Sequence, residues 1–133
     1  MPTRSSIFTE RAFFPERVIV LRDVHEEFVE RSVEAASGVV LGDPFDEATT
    51  MGPLNNEPTA AKMDRHLADA AERGARVLTG GGRAGGFPTD LYYAMTVVDG
   101  VSEESALSEE ESFGPVLPIL VAEGDDDAVA MAN

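Results

Sequence analysis

The 133-residue chain contains no cysteine, which excludes disulfides, thiolate metal sites and a cysteine nucleophile at once. Long apolar runs are missing too. Val18 to Leu21, and Val116 to Ala122 with Pro118 inside it, fall far short of the roughly 18 residues of a membrane span. The opening Met1-Pro2-Thr3-Arg4-Ser5-Ser6 carries one cation and no apolar core, so no secretory signal is expected and a cytoplasmic location is the default. Lysine is nearly absent: Lys62 is the single lysine among ten cations, which face 25 Asp plus Glu for a net charge of −15. That sign argues against a nucleic-acid backbone or an anionic membrane as partner. This acidic, lysine-poor composition is compatible with a salt-rich cytoplasm or with arginine-biased codon usage.

What remains is an ordinary globular composition, 43% hydrophobic and 26% charged, in a chain long enough for one core. Arg17 to Leu21 reads as a short buried strand, since its four consecutive aliphatic residues suit a strand covered on both faces. Asp23 and Glu26 form a capping-box-like pair ahead of Val24, Phe28, Val29, Val33 and Ala36 at helical spacing, with Glu26, Glu27, Glu30 and Glu34 on a solvated face. Residues 38–56, rich in Gly, Pro, Asp and Thr, read as an ordered loop. A second helix begins near Pro58, carries Met63, Leu67, Ala70 and Ala71 as its apolar stripe, and ends at Gly74 as a left-handed C′ residue. Further strands are predicted at Arg76 to Thr79, Leu91 to Val98 and Val116 to Val121, where Pro118 removes a ladder donor and prefers a strand end or edge. Asp125, Asp126 and Asp127 open a last helix at its positive end, and its pattern stops after about two turns, as if cut mid-element. Strands alternating with helices predict an α/β fold, a mainly parallel sheet with flanking helices.

Most of the apparent motifs have a bland reading. Gly80-Gly81-Gly82-Arg83-Ala84-Gly85 satisfies the spacing of a dinucleotide-binding turn, but Gly86-Phe87-Pro88 follows where a helix is required, so a strand-to-strand loop is expected. His25 and His66 lack a second histidine at helical spacing and are expected as solvated surface residues rather than zinc ligands. The Asp125 to Asp127 run lacks the pattern of a calcium loop and complements a helix dipole. No serine, Ser112 included, sits in a recognisable hydrolase motif, and from composition alone Glu109, Glu110 and Glu111 are a charge run.

One segment stands apart: Glu110-Glu111-Ser112-Phe113-Gly114-Pro115-Val116-Leu117-Pro118, a carboxylate pair, an aromatic and a Gly-Pro turn feeding an apolar run. It resembles the cofactor-contacting signature of aldehyde dehydrogenases. The likeness is collinear through Glu16-Arg17-Val18-Ile19-Val20, His25-Glu26-Glu27-Phe28-Val29-Glu30-Arg31, Gly42-Asp43-Pro44, Met51-Gly52-Pro53-Leu54 and Gly74-Ala75-Arg76-Val77-Leu78-Thr79-Gly80-Gly81. On this resemblance, 1–14 form a divergent amino-terminal segment and 15–133 a partial catalytic domain, the stretch that follows the nucleophile. The form with Ser112 between Glu111 and Phe113 resembles members acting on aromatic or small aldehydes.

The resemblance implies an NAD or NADP cofactor, with Glu111 accepting hydrogen bonds from ribose hydroxyls and Phe113 packing beside the nicotinamide. Both roles suit the side chains: a carboxylate accepts two hydroxyl donors, and an aromatic wall helps set the ring's angle for hydride transfer. It also implies a thiolate nucleophile, whose position, counted back from Arg17, falls on Ala12. Residues Ile7 to Phe14 do not resemble the nucleophile motif. The family's oxyanion asparagine, general-base glutamate, glycine-rich cofactor turn and oligomerisation strands are not among these 133 residues. The expectation is therefore a fragment of an aldehyde-oxidising enzyme, inactive alone and with weak or no cofactor binding. The alternative is a non-enzymatic interaction module or remnant that forms a homo-oligomer or associates with full-length subunits, a complementary fragment or a complementary aldehyde dehydrogenase subunit.

Overall fold

The computed structural model describes residues 17–110 and 114–133. Strand β1 (Val18–Leu21) leads through a 3-10 turn at Arg22–Val24 into helix α1 (His25–Ser37). A long loop then reaches α2 (Glu57–Glu72), followed by β2 (Arg76–Thr79), β3 (Thr96–Asp99), the single turn α3 (Ala106–Glu109), β4 (Val116–Ala122) and α4 (Asp125–Ala132). The sheet runs β1-β4-β3-β2, with β4 parallel to both β1 and β3 and β2 antiparallel to β3. This is the expected α/β architecture.

Side chains alternate across this sheet and divide the core in two. On one face Val98, Val116 and Leu120 pack with Met63, Leu67 and Ala70 of α2. On the other, Val97 and Ile119 pack with Ala36, Phe28, Val29 and Val33 of α1. Complete burial of Met63 contributes roughly 1.5–3 kcal/mol, more than the propensity differences among ordinary helix residues, which stay below about 0.7 kcal/mol each. Packing therefore decides where α2 lies.

The ends of α2 follow the sequence closely. Asn56 Oδ1 accepts the Thr59 N–H at 2.9 Å, Pro58 occupies the first turn, and Gly74 takes φ +92°. The Gly74 N–H donates to Ala71 O and the Ala75 N–H to Ala70 O, closing the helix in a Schellman arrangement. Ala71, expected on the apolar stripe, is exposed, and His66 takes a buried place on that face.

Other elements depart from expectation for local reasons. The cap position of α1 falls on Val24 rather than Asp23, without a side-chain cap, because residues 22–24 tighten into the 3-10 turn. Val24 is consequently exposed, while Glu26, Glu27, Glu30 and Glu34 form the solvated face. The strand expected from Leu91 begins only at Thr96, since residues 92–94 fold back on the glycine-rich turn, with Ala84 N–H donating to Tyr92 O and Ala94 N–H to Gly82 O. Pro118 lies inside β4 where that strand changes partner: β3 pairs with Val116 to Pro118 and β1 with Ile119 to Ala122. The lost donor falls at the handover. Among the described residues no helix is long and apolar enough to cross a membrane.

Candidate cofactor-facing site

Glu111, Ser112 and Phe113 lie outside the described residues, as does Ala12. The chain on both sides of the 111–113 segment is described, and α2 holds both sides. On the amino side, Asp69 Oδ2 accepts the Ala106 N–H at 2.8 Å and the Ser105 hydroxyl at 3.3 Å, tying the start of α3 to α2. His66, 3% exposed, places its Nε2 3.1 Å from Glu110 Oε2. Burial pushes the His66 pKa below its ordinary 6.5 against the opposing pull of Glu110, with Lys62 and Arg65 adding to the lowering. A neutral imidazole reaches Glu110 as an Nε2–H donor.

On the carboxyl side Gly114 is buried against Met63, and a Cβ there would overlap the Met63 sulfur. A larger residue there has to displace the end of the Met63 side chain. Pro115 O then accepts the Thr96 N–H at 2.8 Å, so the segment enters the sheet at the amino ends of β3 and β4. Arg17, just ahead of β1, donates to Ser108 Oγ at 3.0 Å and to Met131 O at 2.8 Å, and thereby joins α3 to α4.

The glycine-rich turn is spent on structure. Arg83 is held by Glu57 at 2.6 Å, Asp64 at 3.0 Å and Asp90 at 3.1 Å, and Glu57 and Asp64 raise its pKa. Asp64 also accepts the Tyr93 hydroxyl at 2.8 Å, and burial with that bond raises the Tyr93 pKa. The turn runs from β2 to β3 with no helix between them, as expected of a strand-to-strand loop.

Both histidines correct the sequence reading. Neither is solvated: His66 is buried beneath Glu110, and His25 Nε2 lies 2.7 Å from Asp99 Oδ1 in a mostly buried contact. Their acidic partners come from distant parts of the chain, which a local spacing rule does not see. His66 did carry a signal, since it stands three residues after Met63 on the apolar stripe. Among the described residues no group of three or more potential ligands could hold a metal ion.

The aldehyde dehydrogenase family model matches residues 9–133. The chain belongs to the aldehyde dehydrogenase family. It is 39% identical over 117 residues to a probable NADP(+) succinate-semialdehyde dehydrogenase of Sinorhizobium fredii, covering 88% of this chain and 23% of that protein. To the betaine aldehyde dehydrogenase of Brucella anthropi it is 36% identical over 119 residues, covering 88% of this chain and 24% of the relative. An NADP-dependent enzyme of E. coli superposes with a TM-score of 0.87 at 30% identity, over 97% of this chain and 28% of the other. Succinate-semialdehyde dehydrogenase of Burkholderia pseudomallei gives 0.84 at 31% identity, over 89% and 24%. The chain thus spans about a quarter of the length of these relatives.

Proposed function

We propose that this chain supplies the ribose- and nicotinamide-facing part of an NAD- or NADP-dependent aldehyde dehydrogenase and does not oxidise aldehydes on its own. The family match across 9–133, which takes in Glu111-Ser112-Phe113-Gly114-Pro115, carries the reading. Glu111 would accept the ribose hydroxyls and Phe113 would stand beside the nicotinamide. The cofactor, when bound, supplies hydride acceptance. The chain's part is to place its ribose and ring.

Aldehyde oxidation in this family also requires a thiolate to add to the carbonyl, donors for the resulting oxyanion and a base for water. None of the 133 residues is a cysteine. The test is absorbance of reduced cofactor when the purified chain is given NAD or NADP with succinate semialdehyde, betaine aldehyde or a small aromatic aldehyde. No rise above background is expected; sustained turnover would overturn the reading.

A second reading, association with a copy of itself or a complementary aldehyde dehydrogenase subunit, is favoured by two observations. Among the described residues β1 pairs on one side only, leaving a free sheet edge. Phe45, 96% exposed, and Val24, Val40 and Val129 leave apolar surface in water. Light scattering of the purified chain across a concentration series decides it, a constant monomer mass arguing against self-association.

A further inference from the structure

The imidazole of His25 stands on the buried carboxylate of Asp99. Its Nε2 lies 2.7 Å from Asp99 Oδ1, and Arg76 Nη2 lies 2.8 Å from the other oxygen. Burial would raise the Asp99 pKa, but the bonds from His25, the Gly100 N–H and Arg76 outweigh it, so the ring faces a carboxylate. An ionised carboxylate only accepts, which fixes the ring proton on Nε2 and leaves the lone pair on Nδ1. The side chain is 17% exposed, and among the described residues no buried side-chain nitrogen or oxygen lacks a partner. Nδ1 makes no hydrogen bond there, so water reaches it. Competing nucleophiles are few. The chain has no cysteine and one lysine, the partly buried Lys62, and the other histidine, His66, is 3% exposed.

We propose that His25 is an acceptor site for small, uncharged α,β-unsaturated aldehydes, which add to its Nδ1. The step is a conjugate addition. The Nδ1 lone pair forms a bond to the β carbon, the C=C π pair shifts to the α carbon, and that carbon takes a proton from water, leaving hydroxide to the solvent. Nothing is oxidised and no group leaves. The ring ends as an imidazolium that keeps its Nε2–H on Asp99, so the buried carboxylate offsets the positive charge as it develops. A neutral reagent is favoured because Asp23, Glu26 and Glu27 stand exposed around the start of α1, on a chain of net charge −15. An anionic electrophile such as a phosphoryl donor is repelled. The site is independent of the cofactor reading.

The test incubates the whole chain with crotonaldehyde, fixes the adduct with borohydride and maps it by peptide mass spectrometry, while nitrogen NMR of the imidazoles reports which ring atom is substituted. An adduct on His25 Nδ1 is expected, with His66 unmodified and the label gone from this position in His25→Gln. Asp99→Asn keeps an acceptor but not the charge, and should slow the addition roughly three- to tenfold. Arg76, with a side chain 69% exposed, can be shortened without opening the core, so Arg76→Gln decides the matter should Asp99→Asn fail to fold. With the competing cation gone, the Asp99 charge acts on His25 alone, and the addition should quicken roughly twofold or more. The proposal is overturned by an absent adduct, by substitution at Nε2, by labelling of His66 at the same rate, by an Asp99→Asn variant that reacts as fast as the starting protein, or by an Arg76→Gln variant that does not react faster.

Discussion

The Nε2 of His25 lies 2.7 Å from the Oδ1 of Asp99, a contact made across 74 positions of sequence. The other Asp99 oxygen accepts from Arg76 Nη2 at 2.8 Å. One carboxylate, 2% exposed, thus joins the first turn of α1, the start of β2 and the end of β3. Removing it strands a mostly buried imidazole, whereas Arg76 falls back into water. Asp99→Ala is therefore expected to cost about 1–3 kcal/mol and Asp99→Asn less, since the amide retains an acceptor. Urea unfolding checks it: the midpoint should drop with the slope unchanged.

Stability should fall with acid in two stages. Burial alone would raise the Asp99 pKa, but hydrogen bonds from His25, the Gly100 N–H and Arg76 outweigh it and hold the carboxyl below its ordinary 3.8. The stability this gives is complete above the unfolded value of 3.8 and is lost as pH falls below it. His66 is lowered chiefly by burial, so the unfolded chain binds its proton more readily and stability begins to fall once pH drops through 6.5. In a series of melts against pH, His66→Phe should flatten the upper stage alone, and Asp99→Asn should weaken the lower, which Glu57, Asp69, Glu104 and Glu123, also held below their ordinary values, share. A single step that neither variant alters would contradict both assignments.

Gly114→Ala should destabilise by about 1–3 kcal/mol, the usual range for overpacking, because the added methyl meets the Met63 sulfur inside a filled core. Met63→Ala alone should cost about 2–5 kcal/mol by leaving a cavity. Joined, the two changes should cost less than their sum, since the methyl enters the space Met63 vacates. Additive losses in a denaturant series would mean that the two residues do not share that space.

Legibility tracked the range of the interaction. The α2 helix was readable because Asn56, Pro58, the Met63, Leu67 and Ala70 stripe and Gly74 all act within a few residues of each other. The start of β3 was not, since residues 92–94 are claimed by the glycine-rich turn through Gly82 O and the Ala84 N–H, a pairing that apolar content does not reveal. Pro118 looked like an edge residue and lies in an inner strand, because the strand swaps neighbours at that point. For the site, the residues named from family resemblance, Glu111 and Phe113, were legible as a motif, while the groups that hold their flanks were not. His66 and Asp69 meet Glu110 and Ala106 only after the sheet has brought α2 and α3 together.

Salt should stabilise the fold. Screening weakens the exposed pairs Arg22 with Glu123 and Arg31 with Glu27, but such pairs contribute little in water. It also relieves the repulsion of 25 acidic groups set against ten cations, a net charge of −15, and at 1 M its range shrinks to about 3 Å. The larger effect has the stabilising sign. The thermal midpoint should rise from low to high KCl, and a midpoint that is flat or falling would remove the salt-adapted reading.

Cofactor affinity of the isolated chain is bounded by the groups it contains. Glu111 and Phe113 would meet only the ribose and nicotinamide, and the diphosphate would still need a glycine-rich turn at a helix amino terminus. The glycine-rich turn described here runs between strands, with Arg83 bound to three carboxylates. One or two exposed hydrogen bonds to a carboxylate contribute roughly 1–3 kcal/mol, whereas a micromolar complex requires about 8 kcal/mol. Binding of NAD or NADP is therefore expected no tighter than about millimolar. Ala12→Cys should not add turnover, because a nucleophile without its base and oxyanion donors fails as the whole unit does. Calorimetric titration of the chain and of Ala12→Cys with NAD, beside the absorbance assay, measures both. Micromolar binding abolished by Glu111→Ala would show that the segment builds a cofactor site by itself, and turnover in Ala12→Cys would show that the base and oxyanion donors are already within these 133 residues.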